Sequence, residues 1–210
     1  MILSVSRRTD IPNYYSEWFL NRIKEGYLYV RNPINIHQVS KIDISPEIVD
    51  CIVFWTKNPE PMLDKLVQLK DYKYYFQFTL TGYGKDMEPA LPHKKNKMIP
   101  TFQSLSNMIG KEKLVWRYDP IVITETYTEE YHLKAFQEIA SSLNGYCKRV
   151  VISFVDLYAK TKKNMKDIQT IDKKQSELIL FSKKLAEIAV SNGMEIETCA
   201  ELIDLSSCGI

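Results

Sequence analysis

A chain of 210 residues that is 45% hydrophobic and 11% aromatic can bury a substantial core, which excludes an intrinsically disordered protein. Its 28 basic and 26 acidic residues give a net charge of +2, so overall charge supplies no argument for binding nucleic acid or an anionic membrane. No apolar run approaches the roughly 18 residues of a membrane span. The N-terminus also lacks the charge and cleavage pattern of a secretion signal, so we expect a cytoplasmic protein with no membrane partner.

The first β-strand and the first helix are predicted from two different periodicities. Residues 2–8 alternate between apolar and polar side chains, which predicts a strand with one polar face. From Asn13 to Glu25, apolar side chains recur at helical spacing, and Gly26 then supplies a left-handed stop. The sequence therefore opens with one strand followed by one helix.

The next segments predict a small insertion and two further strands. Two short β-like pieces, Tyr27–Val30 and Gln38–Ile44, predict a hairpin inserted after the first helix. The apolar run over residues 50–57 is typical of a strand covered on both faces in a parallel sheet. A short helix over 60–69 and a strand with one polar face over 74–81 follow.

The second half of the chain continues the alternation of helix and strand. Its periodic segments end at turn signals such as Gly110, Asn144-Gly145 and Gly193. They predict helices from Lys97 or Thr101 to Ile109, from a cap at Thr126 or Thr128 to Leu143 and over 173–192, and strands over 113–124, 149–156 and 194–200.

Six alternations of strand and helix imply an α/β fold with parallel strands and right-handed crossovers. An open sheet and a barrel both satisfy this order. Conspicuous polar residues stand at the strand exits, and no Gly-x-Gly-x-x-Gly or Walker loop follows any strand. We therefore expect a single domain over residues 1–210, folded as a six-unit (β/α) partial barrel similar to a TIM barrel.

Ligand sites in parallel sheets form outside the carboxyl ends of the strands, so the polar residues there are the candidate site. A small polar or anionic ligand would fit this set, although solvated strand ends and an internal Arg117–Asp119 ion pair explain many of its members equally well. The candidate ligand- or cofactor-binding residues are Ser6, Arg7, Arg8, Asp10, Lys57, Asn58, Thr79, Thr81 and Glu197. The candidate catalytic residues are Arg117, Asp119, Asp156 and Glu201.

Roles for the charged residues follow from their chemistry. Arg117 could hold a carboxylate or phosphate through two hydrogen bonds, and Asp119 or Asp156 could orient the ligand or accept a proton. Two other functions stay open. One is a hydrolase or lyase that uses Asp119 and Glu201 as acid and base. The other is a non-catalytic module for anions or nucleic acid, using a basic set of Arg7, Arg8, Lys160, Lys162, Lys163 and Lys166.

The spacing of metal-binding residue types predicts no metal site. Cys51, Cys147, Cys199 and Cys208 are scattered without a Cys-x2-Cys pair. The three histidines are equally dispersed along the chain. We expect reduced thiols rather than a zinc site or a disulfide framework.

Five segments of the sequence resemble one bacterial family. They are Ser-Arg-Arg-Thr-Asp-Ile-Pro at 6–12, Val-Phe-Trp-Thr-Lys-Asn-Pro at 53–59, the run from Tyr75 to Gly84, Trp-Arg-Tyr-Asp-Pro-Ile at 116–121 and Val-Ile-Ser-Phe-Val-Asp at 151–156. Together they resemble domain of unknown function 1848, over essentially the whole chain.

The resemblance implies chemistry beyond what the residues themselves predict. Members of that family typically continue to a C-terminal cysteine cluster similar to that of radical S-adenosylmethionine enzymes, whose core is a partial barrel. This chain lacks Cys-x3-Cys-x2-Cys spacing. We therefore expect a fragment, or a member that has lost the cluster segment. We also expect no bound cofactor and no radical activity in this form, with [4Fe-4S] and S-adenosylmethionine belonging to a full-length member.

Overall fold

The computed structural model describes residues 1–6, 9–155, 168–199, 205, 206 and 210. The chain divides into two compact units, Met1–Phe78 and Thr79–Ile210. The single domain expected over residues 1–210 stays a prediction.

The first unit is built on three parallel strands. They are β1 (Ile2–Val5), β4 (Cys51–Thr56) and β5 (Tyr74–Thr79, whose last residue belongs to the second unit), in the order β1-β4-β5. The predicted inserted hairpin is confirmed as an antiparallel pair, β2 (Tyr27–Arg31) with β3 (Val39–Asp43). The helices are α1 (Ile11–Tyr14), α2 (Ser16–Glu25) and a 3-10 helix over Glu60–Leu69.

The core of the first unit forms around the middle of β4. Phe54 is fully buried, stacks on Phe76 with ring centroids 4.6 Å apart and meets the edge of Phe19 at 5.5 Å. Ile52 and Val53 are also buried, on opposite faces of the strand. The expectation that this strand is covered on both faces is thus confirmed.

The predicted first helix is divided into two. It starts earlier than Asn13, because Asp10 caps α1 by accepting a hydrogen bond from the Asn13 amide at 3.1 Å. Tyr15 then leaves helical geometry with φ −135° and ψ 24°, and α2 begins at the next residue. The predicted stop at Gly26 is confirmed, with φ 74°.

The second unit also carries three parallel strands. They are β6 (Leu114–Ile121), β7 (Arg149–Phe154) and β8 (Glu195–Thr198), in that order. The long helices are α3 (Ile99–Ile109), α4 (Glu129–Leu143) and α5 (Gln175–Ser191). A π-helical turn over Lys94–Met98 precedes α3, and a 3-10 turn over Lys111–Lys113 follows it.

Alternation along β6 assigns its two faces. Trp116 and Tyr118 are fully buried, and both contact Phe136 of α4, at ring-centroid distances of 4.6 and 5.1 Å. Val115, Arg117 and Asp119 therefore share the opposite face. The alternation of side chains along the predicted strand over 113–124 gives the same division.

These strands and helices confirm an α/β fold with six parallel strands, three in each unit. Among the described residues, neither unit closes its strands into a barrel. The finer assignment of a partial barrel stays a prediction. No helix within the described part of the chain is both long and apolar enough to cross a bilayer.

Candidate functional site

In the first unit, Asp10 is held by three hydrogen bonds. Its Oδ1 accepts from the Asn13 amide at 3.1 Å and from Thr56 Oγ1 at 2.8 Å, and its Oδ2 accepts from the Lys57 amide at 2.7 Å. The carboxylate therefore joins the exit of β1 to the exit of β4. Its contacts are those of a structural link, and its predicted ligand-binding role stays a prediction.

Asn58 and Ser6 are bonded in a similar way. Asn58 is buried. Its side-chain Nδ2 donates to Asn13 Oδ1 at 3.0 Å, and its backbone amide donates to Thr56 Oγ1 at 3.0 Å. Ser6 Oγ accepts from the Ile11 amide at 3.1 Å, and Ser6 has a left-handed φ of 91°. The structure thus brings several predicted residues of this unit together around the strand exits, bonded to one another and to backbone.

In the second unit, Arg117, Asp119 and Ser153 meet at the carboxyl ends of β6 and β7. Arg117 Nε donates to Asp119 Oδ2 at 2.8 Å, and Nη2 donates to the same oxygen. Ser153 Oγ donates to Asp119 Oδ1. The Arg117 side chain is 6% exposed, whereas that of Asp119 is 19% exposed. The carboxylate is thus fixed on both oxygens and still reaches solvent.

The backbone that follows Asp119 is fixed by Tyr83. The Tyr83 hydroxyl accepts from the Val122 amide at 2.7 Å and donates to the Pro120 carbonyl at 2.8 Å. Burial raises the pKa of Tyr83 well above its usual value, so the phenol stays protonated and keeps its donor. The Asp119–Pro120 peptide bond is cis. Tyr83 therefore sets the path of the chain as it leaves β6.

His132 supports the same segment from α4. It is fully buried, and its Nε2 lies 3.1 Å from the Val122 carbonyl, which can only accept, so the proton is on Nε2. Nδ1 then accepts from the Tyr118 hydroxyl at 2.8 Å. Burial lowers the pKa of His132 and favours the neutral ring. The sequence signal for this role is the i, i+4 spacing of His132 and Phe136 on the apolar stripe of α4.

A second polar cluster contains Glu88 and Lys94, which sequence reasoning missed. Glu88 Oε2 accepts from Thr81 Oγ1 at 2.9 Å and from Lys94 Nζ at 2.6 Å. Lys94 Nζ also donates to the Tyr83 carbonyl at 2.5 Å. Thr81, a predicted ligand residue, is therefore part of this cluster. No periodicity in the sequence marks these two residues, because Glu88 lies in the loop punctuated by proline and Lys94 is the first residue of the short π-helical turn that follows it.

The other predicted residues do not join either cluster or lie outside the described residues. Thr79 is half-buried at the end of β5. Glu197 is exposed on β8, where its Oε1 lies 3.4 Å from Arg149 Nη1. Outside the described residues lie Arg7, Arg8, Asp156, Glu201, Lys160, Lys162, Lys163 and Lys166. The acid–base and nucleic-acid hypotheses that depend on them stay predictions.

The family assignment agrees with the resemblance in the sequence. A family-level comparison matches residues 2–210 to a domain of unknown function, DUF1848. The chain belongs to the DUF1848 family. A search of curated proteins finds no match.

The surroundings of Cys147 in this DUF1848 protein disfavour its use as a ligand of a [4Fe-4S] cluster. Cys147 is buried beside Met194, with 3.4 Å between the two sulfur atoms, and burial raises the pKa of its thiol to about 12. Cluster ligands are thiolates, which a raised pKa disfavours. Within the described part of the chain, no group of three or more His, Cys, Asp and Glu side chains could hold a metal ion. Cys208 lies outside it.

Proposed function

We propose that this DUF1848 protein binds a small polar ligand at the carboxyl ends of β6 and β7, through the Asp119 carboxylate. One observation carries the proposal: Asp119 is fixed by Arg117 and Ser153 and yet is 19% exposed. A carboxylate that is oriented in advance and open to solvent is suited to accept a hydrogen bond from a ligand.

The geometry favours orientation of the ligand over proton transfer. Asp119 Oδ2 already receives two N–H groups of Arg117, and Oδ1 receives the Ser153 hydroxyl. Each carboxylate oxygen has two acceptor sites, so Oδ1 keeps one for an amine or hydroxyl of the ligand. Arg117 is then a positioning residue, and Asp119 is the residue that contacts the ligand.

The resemblance to radical S-adenosylmethionine cores extends the proposal to a particular ligand. We expect this 210-residue form to retain no cofactor when it is purified, but we propose that its Asp119 site binds S-adenosylmethionine when that molecule is added. S-adenosylmethionine carries an ammonium group and ribose hydroxyls, which are donors that a carboxylate accepts. We also propose that the strands form the partial barrel of that enzyme class. Both the ligand and the barrel are proposed by analogy of sequence and fold class.

Isothermal titration with S-adenosylmethionine, methionine and adenosine tests the proposal. We expect at least one probe to bind, and Asp119→Asn to weaken that binding by about tenfold or more, since the acceptor of the ligand's hydrogen bond loses its charge. Ser153→Ala should weaken it less. Glu187→Gln removes an exposed carboxylate on α5 and is the matched control. Absence of binding by all three probes, or equal binding by Asp119→Asn, would contradict the proposal.

A further inference from the structure

A cavity of about 420 Å³ lies in the second unit, between α4 and the segment that begins at Lys94. Its volume falls in the range of small-molecule sites, roughly 300–1,000 Å³. Its polar lining includes Thr81, Gly82, Lys94, Lys95, Tyr131 and Ser142. Arg117, Asp119 and Ser153 do not line it, so this cavity is separate from the site proposed above.

The polar end of the cavity is fixed by bonds within the protein. Lys94 Nζ donates to Glu88 at 2.6 Å, to the Tyr83 carbonyl at 2.5 Å and to Thr81 Oγ1 at 3.4 Å. The Tyr131 hydroxyl donates to the Gly82 carbonyl at 2.8 Å. These groups do not have to be ordered when a ligand arrives, which reduces the entropic cost of binding.

The opposite wall is apolar and closely packed at its base. Ile99, Ala135 and Ile139 line it. At Gly82 the backbone approaches α4 so closely that an added Cβ would come within 2.6 Å of the Ala135 Cβ. The cavity therefore offers an apolar surface next to ammonium groups.

The charges around the cavity indicate where an anionic group would bind. Lys94 forms an ion pair with Glu88, and the exposed Lys95 adds a second cation from the same turn. Glu138 contributes one exposed carboxylate from α4. After the Lys94–Glu88 ion pair is counted, Lys95 leaves one net positive charge at this end of the cavity, so an anion is favoured there and is disfavoured near Glu138.

We propose that this cavity is a second binding site, for a small molecule with an apolar body and one anionic group. The anionic group binds the Lys95 ammonium and lies near that of Lys94, whose three N–H groups are already bonded within the protein. The apolar body lies against Ile99, Ala135 and Ile139.

Anilinonaphthalene sulfonate, a fluorescent molecule with an apolar body and one sulfonate, is a direct probe of this site. We expect saturable fluorescence with the full chain. Ser142→Leu should weaken binding by about tenfold, because the larger side chain takes up cavity volume that the probe needs. Ile99→Phe is a second variant that fills the cavity. It replaces Ser142→Leu in the test if circular dichroism shows that Ser142→Leu does not fold. Wild-type affinity in a folded blocking variant would overturn the proposal.

The anionic preference has its own matched pair of variants. Lys95→Gln should weaken the probe's affinity about two- to fivefold, the effect of losing one exposed ion pair. Lys97→Gln, an exposed lysine of the same turn that does not line the cavity, should leave it unchanged. Hexanoate should displace the probe at lower concentration than hexanol. Equal effects of the two lysine variants, or equal displacement by the two competitors, would overturn the assignment of an anionic ligand.

Discussion

Gly82 shows how a single missing side chain permits a close packing contact. An added Cβ would lie 2.6 Å from the Ala135 Cβ and 3.2 Å from the Tyr118 hydroxyl. Neither neighbour is the end of a long flexible chain, so the backbone would have to move. We expect Gly82→Ala to lower the free energy of unfolding by about 1–3 kcal/mol, measured by urea denaturation.

The compensating change tests whether the loss comes from this one contact. Gly82→Ala combined with Ala135→Gly removes the closest atom. The double variant should unfold at a higher urea midpoint than Gly82→Ala, despite the glycine introduced into α4. Equal stability of Gly82→Ala and wild type would show that the backbone accommodates a methyl group here.

His132 couples stability to pH. Its pKa in the folded protein is lowered by burial from the ordinary 6.5, so below that value the unfolded chain binds the proton more readily. Stability should therefore fall as the pH drops below about 6.5, by at most about 1.4 kcal/mol per pH unit. Urea denaturation at pH 7.5, 6.5, 5.5 and about 5 measures the slope, a range chosen to lie above the ordinary carboxyl pKa values.

The variant His132→Gln separates the histidine from other titrating groups. Its amide can still donate to the Val122 carbonyl, but it does not titrate. We expect a less stable protein whose stability is nearly independent of pH over this range. A slope equal to that of wild type would assign the pH dependence to groups other than His132.

At the scale of elements, Asp10 joins two strand exits and caps α1. Asp10→Ala removes acceptors for the Lys57 amide and the Thr56 hydroxyl and should cost about 1–3 kcal/mol. The Lys57 amide should also exchange its hydrogen faster, which nuclear magnetic resonance or mass spectrometry can measure. Asp10→Asn keeps an acceptor and should exchange at an intermediate rate. Unchanged exchange in Asp10→Ala would contradict a linking role.

Strands were predictable because each has a local signature, whereas side-chain networks were not. The apolar run around Phe54 and the alternation through Trp116, Arg117 and Tyr118 depend only on neighbouring residues. The start of α1 ahead of Asn13 depends instead on the Asp10 cap, whose other bonds come from residues more than 40 positions away. Local periodicity carries no signal for such a contact.

The same limit applies to the candidate site. Alternation correctly assigned Arg117 and Asp119 to one face, but Ser153 joins them only through the pairing of β6 with β7. Glu88 and Lys94 also contact each other, although the segment that leads from β5 to Lys94 has neither strand nor helix periodicity. Contacts of this kind are decided by tertiary packing, which the sequence pattern does not encode.

Across the whole molecule, both units place polar residues at strand exits, but with different consequences. In the first unit, Asp10 and Asn58 are bonded to backbone and neighbouring side chains, which fixes the loops. In the second, Asp119 is fixed and also partly exposed. The bonds of Asp10 and Asn58 thus link strand exits in the first unit, whereas the exposed part of Asp119 is the feature on which the proposed ligand site rests.

The cysteine content of the whole chain leads to a prediction about iron. Four cysteines stand at positions 51, 147, 199 and 208, without the spacing that places three thiolates around one cluster. Cys147 is further disfavoured by a thiol pKa of about 12. We expect anaerobic reconstitution of these 210 residues with iron and sulfide to give no stoichiometric [4Fe-4S] cluster, as measured by visible absorbance and by iron and sulfide analysis. Cys147→Ala should give the same result. If the wild-type protein bound a full complement of iron and Cys147→Ala did not, Cys147 would be a cluster ligand and the prediction would be wrong.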